Sequence, residues 1–201
     1  MKIKILLLFF TFCISFNYAQ KKKTHTKKKA SITNRKINVE TPSNNVDGYE
    51  SAFVTTGDLN CSNIIPKYDY AIETELAVKN IGNTDLVTKL MNQNEDIAYR
   101  IVYIRPKETV IIKNIPQGIY YLKHAAGTEW FQKNVDNKCI GIFKFEHGYY
   151  MGDGLMNFNL TETATETGRT ISTPTYQLNA GVVVTKEKTG ERNKISSAEF
   201  N

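Results

Sequence analysis

The stretch that decides the fold runs from Ile97 to Trp130, IAYRIVYIRPKETVIIKNIPQGIYYLKHAAGTEW. Three runs in it, residues 97–104, 109–112 and 119–122, are rich in Ile, Val, Tyr and Thr, side chains that suit a pleated, half-buried surface. Arg105-Pro106-Lys107-Glu108 separates the first two and Ile115-Pro116-Gln117-Gly118 the second two. Proline presets φ at a turn's second position and glycine accepts φ > 0, so both read as turns. The reading is a three-stranded antiparallel meander that nucleates the fold.

In the first run, strict alternation sends Tyr99, Ile101, Tyr103 and Arg105 to one face and Ala98, Arg100, Val102 and Ile104 to the other. Apolar residues on both faces predict an interior strand with at least one face fully covered. Arg100 among them argues against a membrane strand and for a soluble sandwich.

Working outward, short apolar runs recur between Gly, Pro and Asn turns with no long helical period. Residues 49–55 and 73–79 read as strands, residues 58–65 carry Cys61 and stop at Pro66, and Asn80-Ile81-Gly82-Asn83 reads as a turn. Residues 85–92 carry Leu86, Val87, Leu90 and Met91 at helical spacing, but the segment is short and is read as a strand. Beyond Trp130 the reading gives a loop to Asn137, strands at 139–145 and 149–151 around His147-Gly148, strand material at 155–160, a polar loop at 161–170, and last strands at 175–178 and 181–185. The fold class predicted is all-β, an antiparallel sandwich.

The ends differ from the middle. Met1-Lys2-Ile3-Lys4 precedes an apolar run from Ile5 to Phe16 and a small residue, Ala19, which is the pattern of a secretory signal peptide cut before Gln20. About 12 apolar residues fall short of the ~20 that span a bilayer, so no transmembrane span is expected in the mature chain. Cys13 follows Phe12 rather than a small residue, which disfavours lipidation. Ten of the 26 Lys and Arg lie within residues 1–36, which hold no acid; the rest of the chain has 16 bases against 20 acids. The protein is thus a mildly acidic body with a basic arm. Residues 20–47 are polar and without periodicity, as in a disordered linker. Lys21, Lys22, Lys23, Lys27, Lys28 and Lys29 could contact anionic lipid or lipopolysaccharide, or serve simply as a solvated tether, the plainer reading; no aromatic lies among them to stack on bases, so nucleic acid is not an expected partner. The division is signal peptide 1–19, linker 20–47, sandwich 48–185 and polar, fraying tail 186–201.

Removing the signal leaves Cys61 and Cys139, an even count in an exported chain, which predicts a disulfide. No CxxC or Cys/His pairing supports zinc, and no cofactor is expected.

The runs Leu76-Ala-Val-Lys-Asn-Ile-Gly-Asn, Leu86-Val-Thr-Lys-Leu, Tyr99-Arg-Ile-Val-Tyr-Ile and Val110-Ile-Ile-Lys-Asn-Ile-Pro-Gln-Gly-Ile-Tyr-Tyr-Leu resemble small secreted bacterial β-sandwich modules of the prealbumin-like and carboxypeptidase-regulatory-like kind. The Ile-Pro-x-Gly-x-Tyr turn at residues 115–120 carries the likeness, which covers residues 73–130. It implies a non-catalytic accessory or binding module of the envelope, and no functional residue carries over from it.

Two function classes follow. One is that module, binding an envelope protein or glycan, with the doublets Tyr120-Tyr121 and Tyr149-Tyr150 each sending one ring to either face. The other is a small envelope hydrolase or metal-dependent enzyme using His124, whose plainer reading is a hydrogen-bonded surface histidine, or Glu146, His147 and Asp153 brought together by glycine bends, which loop polarity explains equally well. The sequence offers no nucleophile elbow and no phosphate loop at Gly152-Asp153-Gly154. A His collected with two carboxylates in one cleft would favour the enzyme.

Overall fold

The computed structural model describes residues 46, 48–184 and 193–201. The expected signal peptide, Cys13, the lysine cluster at 21–29 and all of the expected linker except Val46 lie outside the described residues. In chain order the elements are β1 (Glu50–Ser51), β2 (Gly57–Asp58), β3 (Glu75–Asn80), β4 (Asp85–Asn92), β5 (Ile97–Ile104), β6 (Thr109–Lys113), β7 (Ile119–Val135), β8 (Lys138–Met151), β9 (Met156–Asn157), β10 (Thr161–Thr165), β11 (Gly168–Ser172), β12 (Thr175–Ala180), β13 (Lys194–Ile195) and the one-turn helix α1 (Ser197–Phe200). The large sheet runs β13-β8-β7-β4-β5-β2, with β1 and β9 added along β7; the small sheet runs β12-β3-β6; β10 and β11 form a separate hairpin. The protein is an all-β sandwich. Among the described residues no helix is long and apolar enough to cross a membrane.

Alternation explains the layering. In the small sheet Leu76, Val78, Val110 and Ile112 point inward while Glu75, Lys79, Thr109, Ile111 and Lys113 point out. The large sheet answers with Leu86, Leu90, Val102, Ile104, Tyr120, Leu122 and Ala126, and together they form one continuous core. Its central strands β4 and β5 are largely buried on both faces. Val87, Ile101, Tyr103, Ala125 and Trp130 make a second cluster on the outer face.

The three central strands exist at the expected places, but they do not form a meander. β5 pairs with β4 and β2, β6 pairs with β3, and β7 lies between β4 and β8. Each expected turn instead carries the chain across the sandwich. At the first, Lys107 is left-handed (φ 67°), and its N–H donates to the Asn80 carbonyl of the other sheet. At the second, Asn114 (φ 55°) donates its N–H to the Thr74 carbonyl. Proline and glycine mark a reversal without saying whether the strands pair side by side or face to face.

Other departures have local causes. The register shifts at Leu90/Met91 opposite Tyr99, and Tyr99 joins the inner core although alternation places it with Ile101 and Tyr103. A bulge re-aims a side chain in just this way. The expected loop after Trp130 belongs to the 17-residue β7, and the reversal falls at Asp136 and Asn137, both at positive φ, closing a two-residue hairpin into β8. His147 sits at a bulge within β8 and does not end it. The polar segment 161–170 lies in the β10–β11 hairpin, exposed at every strand position, so no burial pattern betrays it. β12 runs parallel to β3, so the sandwich is not wholly antiparallel. Of the expected strands at 49–55 and 155–160 only dipeptides are in strands, residues 58–65 contribute only Asp58 to β2, and 181–184 are in none. The expected fraying tail adds β13 to the edge of β8 and ends in α1, with Phe200 buried.

Candidate functional site

Each sheet junction leaves a concavity, one between the layers and one on the outer face. The inner cleft, about 460 Å³, is walled by Leu86, Tyr150 and Val182 and holds His124. His124 stands opposite Thr88 in the β4–β7 ladder, and its Nδ1 lies 2.9 Å from Thr88 Oγ1. Among the described residues nothing hydrogen-bonds its Nε2. The ring is 7 % exposed, so it is a core histidine rather than a surface one. Burial pulls its pKa down to about 4, which keeps it neutral near pH 7. Thr88 is completely buried, so the pair presents no exposed nucleophile. Asp153 lines the same cleft and is hydrogen-bonded by Asn193.

The other sequence candidates part company. Glu146 accepts a 2.6 Å bond from Tyr149 Oη and borders the outer concavity; His147 contributes its carbonyl to Tyr150 Oη at 2.9 Å. The three residues Glu146, His147 and Asp153 do not converge. Among the described residues no group of three or more His, Cys, Asp or Glu could hold a metal ion. The tyrosine doublets divide as expected: Tyr120 and Tyr150 enter the inner core, Tyr149 packs outside, and Tyr121 donates to Asp96.

The outer face carries the larger site. Its floor is Val87, Lys89, Ile101 and Ala125 from the middle of the sheet. One wall is the irregular strap 59–64, and the other is the β7–β8 ribbon with Trp130, Ile140, Ile142 and Phe143. Cys61 and Cys139 join the walls as a disulfide, with Cα atoms 4.8 Å apart. Small residues make the ribbon concave. A Cβ on Gly141 would lie 1.9 Å from Trp130 Cζ2, and one on Gly127 would lie 2.2 Å from Phe143 Cγ. Trp130 and Phe143 meet edge to face with centroids 5.1 Å apart, so neither ring is free to yield.

Phe200 divides this concavity into lobes of about 660 and 570 Å³. Its ring packs on Tyr149 at 5.1 Å, and Lys89 Nζ sits 4.3 Å above it. Lys89 donates to the Phe200 carbonyl at 2.8 Å, and Lys123 donates to the Glu199 carbonyl at 2.6 Å. Burial, and then the charge of Lys123, lower the Lys89 pKa. α1 is held by a capping box in which Ser196 and Glu199 satisfy each other's backbone N–H. None of Lys89, Lys123 and Phe200 was among the sequence candidates. The signal was present, since Ser196-Ser197-Ala198-Glu199 just before an aromatic residue spells a capped turn.

No family model, curated protein or solved structure matches the chain. The site is therefore read from its own chemistry. The outer groove is apolar and aromatic, has two lysine donors along one side, and is enclosed by a covalent staple.

Proposed function

We propose that the protein is an exported, non-catalytic β-sandwich module of the bacterial cell envelope, of prealbumin-like type, that binds a protein or glycan partner. The disulfide-walled groove on the outer sheet face carries this reading. Concave, mostly apolar sites with a few placed polar groups are where ligands bind, and a structural disulfide fits an oxidising compartment. The amino-terminal pattern supports export, and the lysine-rich arm supports contact with an anionic surface. His124 shares its cleft with one carboxylate, while Glu146 lies at the other concavity, an arrangement that supports binding over hydrolysis.

The test combines processing with position. Intact mass of the secreted product should lack the first 19 residues, and a photo-crosslinking side chain at Ile140, in the groove, should capture an envelope component. The same group at Ile111, on the outer face of the small sheet, should not. Unprocessed protein in the cytosol, or equal capture at both positions, contradicts the proposal.

A further inference from the structure

The outer groove already holds a peptide. Residues 193–201 enter it by adding a strand to the free edge of β8, with Lys194 opposite Tyr150 and Ile195 opposite Tyr149, and with Met151 N–H donating to the Asn193 carbonyl at 2.9 Å. The segment then makes one capped turn and drops Phe200 between the two lobes. Its main chain is gripped by Lys89 and Lys123, and its anchor is one aromatic ring. Strand addition at a sheet edge, with side-chain pockets giving specificity, is a general mode of peptide recognition.

We infer that this groove is a peptide-docking site, that residues 193–201 are its intramolecular occupant, and that its intermolecular occupant is the same segment of a second copy of the chain. Three observations support this. The segment joins the sheet by only a two-residue strand, so little backbone pairing holds it. It leaves about 660 and 570 Å³ on its two sides, so it occupies the groove without filling it. Lys89 and Lys123, whose charges disfavour each other, hold the segment through the backbone carbonyls of Phe200 and Glu199, and the Glu199 carboxylate acts on Lys123 through its charge, all partners that a second chain of this sequence supplies. Every contact described is made by atoms that a second copy also carries, so exchange between copies keeps them all, as in domain swapping. Within one chain the effective concentration of a tethered segment is of millimolar order, so the intramolecular form prevails in dilute solution. The inference rests on the groove as a binding site and is independent of export.

The experiment uses full-length chains and a fluorescent peptide of sequence NKISSAEFN. Phe200→Ala empties the groove, and Ile195→Pro, which removes a strand N–H, loosens the segment by a second route; circular dichroism and thiol titration verify folding and the disulfide. The peptide should bind either variant at least tenfold more tightly than the wild type, and a peptide carrying Ala for Phe should not bind. Lys89→Glu/Lys123→Glu has a damaged groove and an intact segment. Mixed with Phe200→Ala it should form a 1:1 complex by light scattering, although each variant alone is monomeric. Failure of the peptide to bind both folded opened variants overturns the docking site even if crosslinking at Ile140 succeeds. Peptide binding without the mixed complex overturns the second copy as occupant and assigns the groove to a foreign segment.

Discussion

The two faces of the large sheet are built from the same strands and closed in different ways. The inner face meets a second sheet whose side chains alternate in step with its own, and Leu76, Val78, Leu86, Leu90, Val102, Ile104 and Ile112 lie between the layers with almost no exposure. The outer face is closed by pieces without a period: a strap, a disulfide, a curled ribbon and a carboxy-terminal turn. Periodic elements interlock to the density of a crystal over most of the inner face and leave one cleft beside His124; irregular ones leave the two lobes flanking Phe200. Most of the fully buried side chains belong to the first face, and the larger open concavity belongs to the second.

Removing the staple should have the largest effect. Cys61→Ser/Cys139→Ser opens a loop with a sequence separation of 78 residues, and the chain-entropy relation puts the loss at about 4.5 kcal/mol. Chemical denaturation of the variant should show a midpoint far below that of the wild type. An unchanged midpoint would mean that the strap is held by its packing alone.

Leu90→Ala and Phe200→Ala set the two faces side by side. Leu90 is fully enclosed, so truncation leaves a cavity and should cost about 3.5 kcal/mol. Phe200 is nearly as buried, at 7 % exposure, yet its segment can leave the groove rather than keep a void, so the loss should be about 1.5 kcal/mol, below the 3–5 usual for Phe→Ala. Equal losses would erase the distinction between the faces.

Acid should act on the inner face. His124 has a folded pKa of about 4, set by burial, against 6.5 when unfolded. The unfolded state therefore binds the proton first. The stability due to the neutral ring is full above about pH 6.5 and is lost as pH falls toward 4, by about 3 kcal/mol. Asp153, in the same cleft, is the nearby carboxylate. A His124→Asn variant should lose this part of the slope of stability against pH between 6.5 and 4; an unchanged slope would show that the imidazole is not held neutral.

Gly141→Ala tests the ribbon's curvature. The new methyl meets the Trp130 ring, itself packed against Tyr103 and Phe143, and overpacking of this kind costs about 2 kcal/mol. Trp130 fluorescence should change with it. A neutral result would mean that the ribbon can flatten.

What the sequence disclosed follows the same division. Strands with a period were legible, and 85–92 was placed as a strand to its exact ends against its helical spacing. The disulfide pairing was legible because only two cysteines, Cys61 and Cys139, lie beyond the apolar amino-terminal run. Strand partnership was not, because the turns at 105–108 and 115–118 use the same residues whether the chain folds beside itself or crosses to the other sheet. The site was hidden for a related reason. Lys89 and Lys123 look like ordinary outward-facing strand lysines until the tail supplies carbonyls for them, and Phe200 is a lone aromatic residue in a polar stretch. His124, Glu146, His147 and Asp153 drew attention as chemical types, and their strand faces then separated Glu146 from His124.

The central claim is that the inner face stays closed as long as the protein is folded, while the outer face opens by release of residues 193–201. Native-state hydrogen exchange on the full chain tests it most directly. The amides of Leu86–Leu90 should exchange only through global unfolding, whereas those of Met151, bonded to Asn193, and of Phe200, bonded to Ser196, should exchange at least a hundredfold faster and with little dependence on denaturant. Exchange of both sets at one slow rate with one denaturant slope would contradict the account.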